Sequence, residues 1–123
     1  GVPLSFPALN QSQEYQDRAA RVGFDWPEID GVLDKLMEEI EEIRKAKNGK
    51  ELASEIGDLF FVLVNFARWQ GVDAESALRG ANMRFKGRFV YIEKYAREND
   101  FPMTEMTLDE MEELWQEAKR AGL

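Results

Sequence analysis

The sequence predicts an all-α protein, and three observations lead to that prediction. Apolar residues recur at the 3.6-residue period of helices over most of the 123 residues, and alternating, strand-like segments are hard to find. Residues that break helices separate the periodic segments at helix-length intervals. The composition, with 44% hydrophobic and 33% charged residues, is typical of a globular protein with long exposed helix faces. We therefore expect an antiparallel helical bundle, formed by a single domain over residues 1–123.

The first two predicted helices flank the segment GFDWPEIDG. The first helix spans residues 9–22 and ends at Gly23, since glycine suits the position after a helix. The second begins at Pro27, because the first helical position needs no N–H group, and it stops near Asn48 and Gly49. Its apolar side chains form one stripe: Val32, Leu33, Leu36, Met37, Ile40 and Ile43.

Three further helices follow. The third spans residues 51–70 and ends at Gly71, the fourth spans residues 74–98 after the capping residue Asp73, and the last follows Thr107. Thr107 and Glu110 have the spacing of a capping box.

The third helix is apolar around most of its circumference. A single chain of this size has too few other helices to cover that apolar surface. Its main stripe comprises Leu52, Ile56, Leu59, Phe60 and Leu63, and further apolar residues follow beyond it. We therefore expect a homodimer, in which helices from two copies complete a core like that of a four-helix bundle. The alternative is a helix enclosed within its own chain.

The chain contains no histidine and no cysteine, which excludes thiolate and imidazole chemistry, disulfides and the common zinc sites. Lack of cysteine fits a reducing cytoplasm, where we expect the protein to act. The net charge of −8 argues against broad contact with nucleic acid, so a bound polyanion would need a divalent metal ion. No apolar run approaches the roughly 20 residues that span a membrane.

Four glutamates occur close together in the second helix. Glu39 and Glu42 border the apolar stripe on one flank, whereas Glu38 projects near the back of the helix and Glu41 lies on the other side. Like charges at these spacings repel one another. Only Glu39 and Glu42 form a pair that can converge on a neighbouring helix.

A second acidic pair, Glu55 and Asp58, shares one flank of the third helix, where we expect Asp58 to be partly buried. Two antiparallel helices joined by the short turn at Asn48 can bring the two pairs face to face. Four carboxylates in one cleft raise one another's pKa values or attract a cation, and oxygen ligands suit Mg²⁺ or Mn²⁺. The alternative is a solvated acidic face, which we favour for Glu38 and Glu41. In that alternative, basic residues offset the charge: Lys35, Arg44, Lys45 and Lys47.

Read as a motif, Glu38-Glu39-x-x-Glu42 followed by Glu55-x-x-Asp58 resembles the signature of the MazG family of all-α nucleoside triphosphate pyrophosphohydrolases. The likeness extends through RAARVGFDW, EIGDLFFVLVNFAR, ANMRFKGRF and LWQEAK, so it covers nearly the whole chain. Among MazG proteins the chain looks most like the catalytic C-terminal unit of two-domain forms. The resemblance implies a dimeric bundle, Mg²⁺ as cofactor, and hydrolysis of a nucleoside triphosphate to monophosphate and pyrophosphate.

The resemblance also implies roles for particular residues. The metal ligands correspond to Glu39, Glu42, Glu55 and Asp58. The basic pair of the family corresponds to Arg84 and Arg88, with Arg84 in place of the usual lysine, a change that alters the geometry of phosphate contact. These two arginines are one turn apart on a single helix flank, which suits the binding of two phosphate oxygens.

The remaining candidates have two interpretations each. Asn82 is either a core amide or a substrate ligand, and Trp26 and Trp115 either stack on the base or belong to the core or an interface. Glu39 either activates water or acts as a plain metal ligand. The whole protein has two alternatives to an enzyme: a non-catalytic helical module whose acidic groove binds a basic partner, and a metal-binding regulatory homologue without turnover.

Overall fold

The computed structural model describes residues 1–123 and contains five α-helices, one short 3₁₀ helix and no strand, which confirms the all-α class. The helices are α1 (Ala8–Arg21), α2 (Ile29–Lys45), α3 (Gly49–Trp69), α4 (Ala74–Glu98) and α5 (Leu108–Arg120), and the 3₁₀ helix is Met103–Glu105. None of the helices is long and apolar enough to cross a membrane.

Several helix ends lie where the sequence predicts them. Gly23 and Gly71, with φ angles of 90° and 71°, occupy the left-handed conformation just beyond α1 and α3. Asp73 accepts a hydrogen bond from the backbone N–H of Ser76 at 2.9 Å, at the start of α4. Thr107 and Glu110 form both hydrogen bonds of the capping box of α5.

Two helix starts differ from the prediction. Helix α2 begins at Ile29 rather than Pro27, because Glu28 has an extended backbone with φ −146° and ψ 155°. Helix α3 begins at Gly49, two residues early, because the Asn48 side chain accepts a hydrogen bond from the backbone N–H of Glu51 at 2.9 Å. A side-chain cap, rather than the apolar period, sets this boundary.

The chain divides into two compact units, Gly1–Ala77 and Leu78–Leu123. In the first unit α3 packs against both α1 and α2, and a three-residue connection, 46–48, joins α2 to α3 as a helical hairpin. The Gln16 side chain of α1 donates a hydrogen bond to the backbone carbonyl of Phe61 at 2.9 Å. Gln13 binds the backbone on either side of Asp73, because its side chain donates to the carbonyl of Val72 and accepts from the N–H of Ala74.

The second unit has its own small hydrophobic core, in which the second part of α4 packs with α5. Its buried members are Ile92, Ala96, Met106 and Leu114. Five partly buried side chains pack against them: Tyr91, Phe101, Met103, Met111 and Trp115.

The predicted apolar stripe of α3 is largely exposed in the single chain. The buried side chains of this helix are Val62 and Val64, whereas Phe60 is 55% exposed and Leu63 is 45% exposed. Leu52 and Ile56 are also exposed. Neither α1 nor α2 covers this stripe in the single chain, so completion of the core by a second copy stays a prediction.

Candidate metal centre and adjoining cavity

Three carboxylates from two helices meet in the first unit. Glu39 of α2 and Glu55 and Asp58 of α3 each offer one oxygen atom, and these oxygen atoms all lie within 4.8 Å of one another. Glu39 lies six residues before the end of α2 and Glu55 six residues after the start of α3, so the helical hairpin places them side by side. The spacing of the acidic residues and the short connection together produce this cluster.

Glu39 is the buried member of the cluster, with only 5% of its surface exposed. Its Oε1 lies 3.2 Å from the ammonium nitrogen of Lys35, whereas its buried Oε2 has no hydrogen-bond partner. A buried acceptor without a donor is costly, more so when it carries charge. The oxygen-only donor set and the unpaired Oε2 fit a hard divalent cation such as Mg²⁺.

Glu55 shows the electrostatic effect of this crowding. The neighbouring Glu39 carboxylate raises the pKa of Glu55, because a protonated Glu55 would donate a hydrogen bond to it, and desolvation and the negative charges of Glu39, Asp58 and Glu42 raise the pKa further. Glu42 is exposed and lies outside the close cluster, although its charge still acts on Glu55. The local field therefore favours either a proton or a cation.

Asp58 is exposed, which contradicts the expectation that it is partly buried. Burial on this side of α3 begins one turn later, at Val62, next to the place where Gln16 of α1 contacts the Phe61 backbone. Helix periodicity identified the correct flank of α3 but not the point along the helix where α1 begins to cover it.

The other two glutamates of α2 pair with basic residues on the helix surface. The Nζ of Lys35 lies 3.1 Å from the Oε1 of Glu38, and the Nη1 of Arg44 lies 3.9 Å from the Oε1 of Glu41. Hydrogen bonds to Glu38 and Glu39 raise the pKa of Lys35. Basic neighbours thus offset part of the charge on α2, but Lys35 contacts only one oxygen of Glu39.

Among the predicted site residues of the second unit, Arg88 and Trp115 contact each other, whereas Arg84 and Asn82 are exposed. The guanidinium carbon of Arg88 lies 5.1 Å from the centroid of the Trp115 ring, and its Nε donates to the backbone carbonyl of Leu123 at 3.0 Å. Arg84 is exposed. Asn82 is also exposed, so the interpretation of Asn82 as a core amide is wrong.

A cavity of about 500 Å³ lies in the first unit, beside α1, α3 and the connector between α1 and α2. Apolar atoms form most of its wall. Trp26 lines this cavity and packs against Gly31. A Cβ atom on residue 31 would lie only 2.7 Å from the Trp26 ring, so a larger residue would not fit there. Arg68 and Asp25 also line it, joined by a hydrogen bond of 2.6 Å.

Gln16 and Asn65 are the two amide residues of this cavity, and neither was predicted from the sequence as a site residue. Gln16 is 6% exposed, and its Oε1 has no hydrogen-bond partner. A signal was present, because Gln13 and Gln16 lie four and seven residues after Leu9, at positions that an amphipathic helix normally gives to apolar residues.

An all-α fold with a cluster of three carboxylates on a helical hairpin defines a class of helical protein suited to binding a metal ion. Residues 7–85 match the family model described as phosphoribosyl-ATP pyrophosphohydrolase. The chain therefore belongs to this pyrophosphohydrolase family.

The chain is also similar to individual MazG proteins, which confirms the resemblance found from the sequence. It is 40% identical over 113 residues to the nucleoside triphosphate pyrophosphohydrolase/pyrophosphatase MazG of Thermotoga maritima, covering 92% of this chain and 44% of that protein. It is 42% identical over 124 residues to the nucleoside triphosphate pyrophosphohydrolase of Escherichia coli strain K12, covering 97% of this chain and 47% of that protein. The chain thus spans less than half the length of these two relatives.

Proposed function

We propose that this protein is a Mg²⁺-dependent nucleoside triphosphate pyrophosphohydrolase, which releases a nucleoside monophosphate and pyrophosphate through attack of water on the α-phosphorus. The observation that carries the proposal is the cluster of Glu39, Glu55 and Asp58 with its buried, unpaired Glu39 oxygen. The names of the two relatives support the reaction class.

Glu39, Glu55 and Asp58 would hold the metal ion, with Glu42 as the fourth ligand. Mg²⁺ bound there would neutralise the phosphate oxygens and allow a water molecule to approach the α-phosphorus, while Mn²⁺ has similar ligand preferences. The exposed Asp58 and the half-buried Glu55 leave one side of the cluster open to substrate. The buried Glu39 anchors the other side.

Glu39 is our candidate for the group that accepts the proton of the attacking water. Lys35 holds its Oε1, so the unpaired Oε2 is the oxygen that remains for a water molecule or a metal ion. Glu38 points its carboxylate to Lys35 and has no part in the proposed chemistry.

Arg84 and Arg88 would bind the phosphate oxygens and stabilise the charge that develops on the departing pyrophosphate. Asn82 is exposed and would contact the substrate directly. Trp26 and Trp115 would contact the base, with Trp115 already packed beneath the Arg88 guanidinium.

We further propose that the chain forms one functional domain that acts as a homodimer. The exposed apolar residues of α3 supply a surface that a second copy would cover, and Phe60 at 55% exposure is its most exposed aromatic residue.

The test is product analysis after incubation with ribo- and deoxynucleoside triphosphates, including dUTP, with Mg²⁺ and with a chelator. Phosphoribosyl-ATP belongs on the same panel because the matching family model carries its name. We expect monophosphate and pyrophosphate only when metal is present. Orthophosphate as the released product would contradict attack at the α-phosphorus.

The matched variants are Asp58→Ala and Glu42→Ala, with the surface variant Glu41→Ala as control. We expect the first two to lower turnover at least a hundredfold with unchanged helix content, because a missing ligand weakens the metal site. Glu41→Ala should retain activity. Near-normal activity of both ligand variants would contradict the site, and no turnover by folded wild-type protein would favour a binding or regulatory module.

A further inference from the structure

Lys35 contacts the acidic cluster of Glu39, Glu55 and Asp58, although its ammonium group cannot bind a metal ion. The ammonium nitrogen lies 3.2 Å from the Oε1 of Glu39 and 3.1 Å from the Oε1 of Glu38, so it bridges two neighbouring glutamates of α2. A positive charge beside a cation site repels the cation. A lysine at this position therefore lowers metal affinity unless its contact has a compensating benefit.

Helix stability alone does not explain the contact between Lys35 and Glu39. In a pair four residues apart, the helix gains more when the glutamate precedes the lysine, whereas here Lys35 comes first. The Glu39 side chain is only 6% exposed, so it has also lost most of its hydration. The contact is better explained by its effect on the carboxylate than by support of the helix.

The contact restrains the orientation of the Glu39 carboxylate. The terminal torsion of a glutamate side chain is soft, so its two oxygen atoms change places readily unless a contact holds one of them. Lys35 holds Oε1, and the buried Oε2 has no hydrogen-bond partner. A hydrogen bond to one oxygen of a metal-binding carboxylate raises metal affinity, because it orients the ligand before the ion binds.

Glu38 reduces the electrostatic cost of a lysine beside the cluster. Residues three and four positions after Lys35 both face it on the helix surface, so Glu38 and Glu39 reach the same ammonium group. The charges of Lys35 and Glu38 cancel, and Glu39 keeps its own negative charge for a cation. Glu38 thus stays outside the chemistry and still has an electrostatic effect on the site.

We propose that Lys35 is a positioning residue of the metal site, which orients the Glu39 carboxylate through Oε1 both before and after the metal ion binds. This inference rests on the proposed function, because it concerns the same metal site. The alternative is a lysine that replaces the cation in the metal-free protein and leaves when the ion binds. Removal of the ammonium group weakens metal binding in the first case and strengthens it in the second.

The test measures binding of Mn²⁺ alone to the metal-free protein, from the electron paramagnetic resonance signal of the free ion. We expect Lys35→Met to weaken Mn²⁺ binding on the order of tenfold, because the Glu39 carboxylate loses its orientation. Lys35→Arg keeps a charged donor and should recover part of that loss. Unchanged or tighter Mn²⁺ binding by folded Lys35→Met would overturn the inference.

Lys45→Met is the matched control, since it makes the same substitution on the same helix and changes the net charge by the same amount. Lys45 is exposed at the end of α2. This variant should bind Mn²⁺ as the wild type does. Equal losses of affinity in Lys45→Met and Lys35→Met would show that the contact with Glu39 is not the cause, and would overturn the inference.

A measurement on the wild-type protein does not depend on the folding of Lys35→Met. The ammonium protons of a lysine that is held in an ion pair exchange slowly with water and can be observed by NMR at low temperature. We expect the Lys35 signal, assigned by its absence in Lys35→Arg, to persist when Mg²⁺ saturates the site. Loss of the signal on saturation would show that the lysine leaves Glu39, and would overturn the inference.

Turnover separates this inference from the proposed function. At saturating Mg²⁺, Lys35→Met should lower kcat for a nucleoside triphosphate and leave KM nearly unchanged, because Glu39 is the candidate that activates water. Weakened Mn²⁺ binding by Lys35→Met, in a protein whose wild type hydrolyses no triphosphate, would contradict the proposed function and retain this inference. Hydrolysis by the wild type, with wild-type Mn²⁺ affinity and kcat in Lys35→Met, would overturn this inference and retain the proposed function.

Discussion

Asp25 shows how a single carboxylate outside the acidic cluster contributes to folding. It accepts hydrogen bonds from the Arg68 guanidinium at 2.6 Å and from the Trp26 backbone N–H at 2.8 Å. The hydrogen bond from Arg68 is the main cause that lowers the pKa of Asp25. The ionised form is therefore favoured more in the folded chain than in the unfolded one.

The first prediction concerns the pH dependence of this pair. An unfolded aspartate has a pKa of about 3.9, so the contribution of Asp25 is complete above that value and is lost as the pH falls through the lower folded pKa. The side chain of Asp25 is 23% exposed and that of Arg68 is 14% exposed. We therefore expect Asp25→Asn to lower the free energy of unfolding by on the order of 1 kcal/mol at pH 6. This difference from wild type should shrink towards zero in acid. Urea unfolding at a series of pH values measures it.

The control for Asp25→Asn is Asp34→Asn, which removes the charge of an exposed aspartate on α2. We expect its unfolding free energy to differ from wild type by less than about 0.5 kcal/mol at pH 6. A difference for Asp25→Asn that persists unchanged at low pH would show that packing, and not ionisation, causes the loss.

Glu39 and Gln16 show how far the burial of a single side chain could be predicted from the sequence. A turn of about 100° per residue placed Glu39 beside the apolar stripe, and it is indeed 5% exposed. Gln16 was missed because a glutamine on an apolar helix face is normally half-exposed, and only the packing of α1 on α3 reveals that it is buried. Periodicity gives the face of a helix, whereas burial depends on the length of the neighbouring helix.

The first and last residues of a helix could be predicted where a capping side chain or a helix-breaking residue sets them. Helix α4 matches the expected range, residues 74–98, because Asp73 caps its start and helix-breaking residues follow its end. The starts of α2 and α3 were each wrong by two residues, since the conformation of Glu28 and the side chain of Asn48 decided them. The apolar period alone carries no information on such local contacts.

The second prediction tests the capping box of α5. Thr107 accepts from the backbone N–H of Glu110 at 3.1 Å, and Glu110 accepts in return from the backbone N–H of Thr107 at 3.3 Å. Thr107→Ala should cost about 1 kcal/mol of unfolding free energy, because the first turn of α5 loses a hydrogen-bond acceptor. Thermal and urea denaturation followed by circular dichroism give the value.

Thr104→Ala is the matched control for the cap, since Thr104 is an exposed threonine of the preceding 3₁₀ helix. It should change the unfolding free energy by less than about 0.5 kcal/mol. Equal losses in the two variants would contradict a specific role for the capping box.

The distribution of apolar surface over the chain explains why the fold class could be predicted, whereas the partner that completes the core stays a prediction. The sequence identified apolar stripes on α2 and α3, yet Met37 is 66% exposed and Phe60 is 55% exposed. An apolar stripe on a helix predicts that its side chains pack against other apolar groups. It does not predict whether those groups belong to the same chain. This is the physical reason to seek the missing partner in a second copy.

The third prediction tests the proposed homodimer through Phe60. Phe60→Glu places a charge in the middle of the exposed face of α3, and burying an unpaired carboxylate there would cost several kcal/mol in a dimer. We expect a dimer for the wild type and a monomer for the variant by light scattering coupled to gel filtration. The control is Leu108→Glu, at a residue 79% exposed in the first turn of α5, where a glutamate also suits the helix dipole. It should remain dimeric, because it lies outside the α3 face. A dimeric Phe60→Glu variant, or a monomeric wild type at the same concentration, would contradict association through α3 and leave that face to a different partner.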